Sequence, residues 1–206
     1  MATYTHRRCI SHQLCLLFVT AFYACQQYSP EDLLLEAKQT SPSTTNDTFT
    51  DGIDDWRVTG NGADSIPQHG LVNGNPTGHL SVIDHSGDIW YFVAPKRIVN
   101  QLRGSYGREF SFDINDTGDG LVMYGQDVIL VSGNRMLFLN FFNRPVNEWF
   151  TFKVNLDDSM FWQKDYNQLA TKEEIQDVVA KLDGLWIRGD YIAQDDEGML
   201  DNFVIK

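Results

Sequence analysis

The sequence predicts an all-β sandwich with one short α-helix packed on it, and three observations carry that expectation. From Phe49 onward the chain breaks into short apolar or alternating runs separated by Gly, Asn and Asp, the texture of strands joined by tight turns. Aromatic residues make up 13% of the chain, and their side chains suit the pleated, half-buried surface of a strand. Within this region a single segment carries helical periodicity, flanked by signals that start and stop a helix.

The strands follow in order. Leu80-Ser81-Val82-Ile83 and Trp90-Tyr91-Phe92-Val93 are the first apolar runs, and Phe110-Ser111-Phe112-Asp113-Ile114 alternates with the period of two that places one face on a core. Val128-Ile129-Leu130-Val131 and Met136-Leu137-Phe138-Leu139 flank Ser132-Gly133-Asn134, a hairpin signal. Trp149–Val154, Leu185–Arg188 and Phe203–Ile205 complete the set. The helix begins at Thr171, three residues before Glu174, the spacing of a capping box. Ile175, Val178, Val179 and Leu182 then form one apolar face, and Asp183-Gly184 ends it.

A chain of 206 residues with 42% apolar content buries a sizeable core as one domain with a tail. The formal net charge is −12, and no cluster of Lys or Arg follows residue 25. A nucleic-acid partner is thereby excluded, because phosphates require a positive footprint. The acidity reads as solubility, with a cation-binding surface as the alternative. Cys9, Cys15 and Cys25 are the only cysteines, so no disulfide staples the domain.

Arg7-Arg8 precedes an apolar run, Leu14 to Phe22, too short for the roughly 20 residues that span a bilayer. The order reads as a signal peptide over residues 1–24. Phe22-Tyr23-Ala24-Cys25 resembles a bacterial lipobox: Phe22 and Ala24 fit the pattern, while Tyr23 stands where a small residue is usual. That resemblance implies lipidation of Cys25, with the membrane met only through the lipid. Residues 25–48, polar toward their end, then read as a flexible tether on the cell envelope, at its outer surface or periplasmic face.

Six short motifs appear in one order: Asp88-Ile89-Trp90-Tyr91-Phe92-Val93-Ala94-Pro95, Ser105-Tyr106-Gly107, Phe110-Ser111-Phe112-Asp113, Asp127-Val128-Ile129-Leu130, Ile187-Arg188-Gly189-Asp190-Tyr191 and Leu200-Asp201-Asn202-Phe203. Together they resemble the laminin B domain, also called laminin type IV A, over residues 49–206. The resemblance implies a galactose-binding-like jelly-roll β-sandwich with no enzymatic activity. The cysteine-rich repeats that surround animal members are absent, which suits a bacterial surface copy standing alone. Jelly rolls similar to this one often carry a structural Ca²⁺ held by the first and last strands. Asp51 and Asp201 are the candidate ligands, with Asn75 in the Gly74-Asn75-Pro76 turn as a further oxygen. The competing reading has Asp51 shaping a turn and Asp201 accepting backbone hydrogen bonds.

No nucleophile constellation is visible. Gly104-Ser105-Tyr106-Gly107 lacks the spacing of a nucleophile elbow, and His69, His79 and His85 form no ligand motif. Trp90, Tyr91 and Phe92 point to alternate faces, so they read as core rather than as a sugar platform. Phe161 and Trp162, in a long polar connection, are candidate ligand contacts, although a loop Trp also caps cores. Arg188 is either a partner for a ligand carboxylate or half of an internal ion pair. The functional expectation is an exported, surface-tethered, non-catalytic module that recognises carbohydrate or extracellular protein. The alternative is an extracellular hydrolase or hydrolase accessory domain acting on polysaccharide, since paired carboxylates do not show as sequence spacing.

Overall fold

The computed structural model describes residues 44–60, 66–85, 87–165 and 168–206. The expected signal peptide and Cys25 lie outside them. Along the chain run β1 (Thr45–Asp47), β2 (Arg57–Thr59), β3 (Gln68–Gly70), β4 (His79–Asp84), β5 (Tyr91–Val93), α1 (Lys96–Leu102) and β6 (Glu109–Thr117). They are followed by β7 (Val128–Ser132), β8 (Arg135–Leu139), β9 (Phe150–Asn155), β10 (Gln163–Lys164), β11 (Gln168–Leu169), α2 (Lys172–Ala180), β12 (Gly184–Arg188) and β13 (Asp196–Ile205).

The strands form two sheets around one core. One sheet has the order β3-β4-β13-β6-β9, with β1 also paired to β13; the other runs β11-β10-β8-β7-β12-β5-β2. Neighbouring strands pair antiparallel throughout. Phe110, Phe112 and Ile114 of β6 meet Leu130, Leu185 and Ile187 of the facing sheet in the core, as the period-two alternation requires. Trp90 and Phe92 are both fully buried, 5.0 Å apart edge to face. The β7–β8 hairpin turns at Gly133, whose φ of 59° is one a side chain resists.

Helix α2 starts where the sequence places it. Thr171 Oγ1 accepts from Glu174 N at 3.3 Å, and Glu174 Oε2 accepts from Thr171 N at 2.8 Å. Ile175, Val178, Val179 and the following Leu182 are buried. Asp183 N then donates to Val131 O at 2.7 Å, which docks the helix exit beside β7.

Two expectations need correction. The domain carries a second helix, α1, and Ile98, Val99 and Leu102 bury its inner face. Its seven residues are too few for a helical period to stand out in sequence. The tether expected to reach residue 48 is already sheet at β1. Asp47 accepts from Trp56 Nε1 at 3.0 Å and receives both Arg97 Nη atoms, at 2.9 and 2.6 Å, so β1 is tied to the core and to α1.

Candidate functional site

An open cleft of about 830 Å³ lies on the second sheet, lined by Tyr124, Gly125, Gln126, Asn140, Phe141, Phe142, Arg144, Phe161, Gln163 and Leu169. Three large aromatic side chains there face solvent: Phe142 is 99% exposed, Tyr124 78% and Phe161 74%. The three rings share the lining of this one cleft. Phe141 and Phe142 also border an adjoining groove of about 410 Å³ that runs to Phe150 and Met160. Phe141 stacks on Phe152 with centroids 4.4 Å apart, which roots this ridge in the sheet.

Asp127, fully buried just before β7, organises the cleft floor. Its backbone N donates to Leu139 O at 2.9 Å and its O accepts from Arg188 N at 2.9 Å, joining the edges of β8 and β12. Its Oδ2 accepts from Phe141 N at 2.5 Å and pairs with Arg144 Nη1 at 3.4 Å. Burial pushes the Asp127 carboxyl above its ordinary range, and the Phe141 N–H with the charges of Arg144 and Arg188 pulls it back. Arg144 Nη1 also donates to Phe141 O at 2.7 Å, and its guanidinium lies 4.7 Å from the Tyr124 ring centroid. One buried carboxylate thus sets Arg144, and Arg144 sets both the 141–144 turn and an exposed tyrosine.

The expected ligand contacts separate. Phe161 is on the cleft rim, whereas Trp162 is 1% exposed and donates from Nε1 to Asn155 O at 3.2 Å. Trp162 therefore caps the core, while the adjacent Phe161 ring faces solvent. Arg188 is completely buried and pairs with Asp127 at 3.7 Å. It lies beneath the cleft: a Cβ placed on Gly125 would stand 3.1 Å from its Nη1. Arg188 is thus an internal partner and cannot touch a ligand directly. Tyr124, Phe142 and Arg144 were not anticipated. The signal available was Phe141-Phe142 just beyond a strand, a pair of which only one ring can point inward.

Of the three expected Ca²⁺ ligands, Asn75 and Asp201 are joined by a hydrogen bond, and Asp51 stands apart from it. Asp201 is buried, and each of its oxygens accepts one backbone N–H: Asn75 N and Asn202 N donate to it at 2.7 Å. Desolvation raises its carboxyl to about 6, against those two donors. Asn75 donates from its side-chain nitrogen to Asp113 Oδ2 at 3.0 Å. Asp51 is exposed and takes no part in these bonds. Asp201 lies at a bulge in β13, where Asn202 has a φ of 49°.

A different acidic group is buried at the end of the first sheet. Asp84, Asp190 and Asp196 each present an oxygen, all within 4.8 Å of one another. Asp116 of β6 joins them electrostatically. Desolvation raises Asp190 to about 7, with Asp116 and Asp84 adding repulsion and Arg188 opposing. Asp116 and Asp196 are pushed up for the same first reason, burial. Their side chains meet, and they can hydrogen-bond to each other only when one carries a proton.

Two antiparallel sheets around a single core make this an all-β sandwich of jelly-roll type. The family model for laminin B (domain IV) matches residues 91–206, more than half of the chain, and the chain belongs to that family. The L4b domain of human laminin alpha-2 superposes with a TM-score of 0.60 at 10% identity, over 80% of this chain and 97% of that one. The family 11 carbohydrate-binding module of the cellulase Lic26A-Cel5E from Clostridium thermocellum gives a TM-score of 0.48 at 16% identity, over 81% and 95%. The CBM22-1 xylan-binding domain of Paenibacillus barcinonensis Xyn10C gives 0.48 at 10%, over 79% and 92%. At 10% identity the likeness to the laminin alpha-2 domain is one of fold. No curated protein matches the chain in sequence.

Proposed function

We propose that this domain is a non-catalytic carbohydrate-binding module, exported and held on the cell envelope through a lipid on Cys25. The observation that carries the reading is the open cleft ringed by Tyr124, Phe142 and Phe161. The apolar face of a sugar ring packs flat on such aromatics, while its hydroxyls need donors and acceptors at the edges. Gln126, Asn140, Gln163 and Arg144 supply these on the same walls. An open cleft admits a chain rather than a single enclosed monosaccharide. Among the described residues the lining includes no Asp, Glu or His, the groups that a carboxylate pair for glycoside hydrolysis would require. The tether rests on the basic–apolar–Ala24-Cys25 order.

A glycan array probed with the wild-type chain and with Tyr124→Ala/Phe142→Ala tests the binding, with hydrolysis assayed on each bound glycan. Binding to a set of oligosaccharides, lost in the variant and without released sugar, is the expected result. An array with no bound glycan, or release of reducing ends, overturns it. Labelled palmitate should enter the wild-type chain in its host and not Cys25→Ala; wild type without label would remove the lipid anchor.

A further inference from the structure

We infer that Asp84, Asp190 and Asp196, with Asp116 beside them, form a binding site for a single structural Ca²⁺. Asp84 ends β4 and Asp196 begins β13, and they face each other as cross-strand partners. Asp190 follows β12 of the other sheet. One oxygen from each lies within 4.8 Å of the others. Oxygens on one Ca²⁺, at about 2.3–2.6 Å from the ion, are separated by no more than about 5 Å, so a single ion can reach all three.

Acidic residues alone do not make a site, and here a second observation points to a cation. Asp116 comes from the middle of the first sheet and is 0% exposed. Its Oδ2 is engaged by Tyr191 N at 2.5 Å, while no N–H or hydroxyl donates to its Oδ1. Asp190 Oδ2 and both oxygens of Asp196 are likewise buried without an N–H or hydroxyl donor, Asp196 meeting the Asp116 carboxyl alone among the described residues. The neighbouring Arg188 does not satisfy them. Its Nε donates to the Asp190 backbone O, and its two Nη atoms make no hydrogen bond. Buried carboxylate oxygens without donors are costly, and the cost falls when they coordinate a metal.

The donor chemistry selects the ion. The set is entirely carboxylate oxygen, with neither nitrogen nor sulfur, which suits a hard cation over zinc or copper. Mg²⁺ keeps several waters in a strict octahedron. Asp84, Asp116, Asp190 and Asp196 are at most 6% exposed, a burial that leaves little room for such waters. Ca²⁺ accepts irregular sets of 6–8 oxygens, which carboxylates and nearby backbone carbonyls can complete. The ion would bridge the two sheets and fix the segment after β12. That segment holds residues 121–123 through Met123 N to Tyr191 O and Ala193 N to Leu121 O, both at 2.8 Å.

The test is calorimetric titration of chelator-treated full chain with CaCl₂, with melting curves in parallel. One site per chain is expected, and the midpoint should rise by roughly 5–10 °C when free Ca²⁺ is about a hundred times the dissociation constant. Asp190→Asn and Asp196→Asn should each weaken binding by at least about tenfold. Asp195→Asn, at an exposed position paired with His85, and Asp201→Asn should leave it intact. No heat and no shift at millimolar Ca²⁺ overturns the inference, as does binding that survives in both cluster variants or vanishes in Asp201→Asn. Mg²⁺ binding as tightly as Ca²⁺ overturns the choice of ion. Should the cluster variants fail to fold, Tb³⁺ luminescence excited through tryptophan reports on wild type alone. Emission that Ca²⁺ competes away supports the site, and absent emission removes it.

Discussion

The guanidinium of Arg144 lies over the ring of Tyr124, 4.7 Å from its centroid, while the same group pairs below with buried Asp127. An exposed aromatic is thereby fixed by a charge whose own position is set inside the fold. Holding a ring in place before a ligand arrives reduces the entropy lost on binding.

Arg144→Lys separates these roles. Lysine keeps the charge but loses the planar fork and the stacking face. The variant should fold and lose about tenfold in sugar affinity. Arg144→Ala should also destabilise the domain, by about 3 kcal/mol, because Asp127 loses a buried partner. Denaturant melts with binding isotherms check both, and equal affinity in Arg144→Lys would separate Arg144 from the site.

Phe142→Ala should change stability by less than about 0.5 kcal/mol, since the ring is 99% exposed and holds little of the core. Affinity for the bound glycan should fall at least tenfold, about 1.4 kcal/mol, as for an interface anchor. A loss of stability without loss of binding would make the ring structural.

Most of the fold was legible in the sequence because its long strands carry their own periodicity. β6, β7, β8 and β12 sit where apolar runs placed them, and α2 begins at its capping box. β1, β2, β3, β10 and β11 have only two or three residues each. So short a strand is specified by the edge it pairs with and not by its own pattern. The site was less legible. Phe161 was visible as an aromatic in a polar connection, but the cleft also needs Tyr124 and Phe142, brought together from distant loops. The acidic cluster joins residues 84, 116, 190 and 196, a separation that no local motif can announce.

The start of the domain gives a further prediction. A fragment of residues 44–206 keeps Asp47, whereas one of residues 49–206 loses its bonds to Trp56 and Arg97 and leaves the edge of β13 open at Phe203–Ile205. Both should unfold cooperatively, with the shorter fragment less stable by about 2 kcal/mol, in line with losing hydrogen bonds to a charged group. Equal midpoints would show that β1 adds nothing.

For α2, Thr171→Ala should cost about 1 kcal/mol through loss of the N-cap. Leu182→Ala should cost more, about 2–5 kcal/mol, because it opens a fully buried position. Chemical denaturation distinguishes them, and equally small effects would mean that the helix does not pack on the sandwich.

The most direct measurement is calorimetric titration of one array-selected oligosaccharide into three forms of the chain: wild type, Phe142→Ala/Phe161→Ala, and Ile83→Ala. Ile83 is 52% exposed on β4 of the opposite sheet and serves as a control. The cleft variant should lose about a hundredfold in affinity while melting at the wild-type temperature, and Ile83→Ala should bind as wild type does. Unchanged affinity in the cleft variant, or a loss confined to Ile83→Ala, would contradict the assignment of carbohydrate to this cleft.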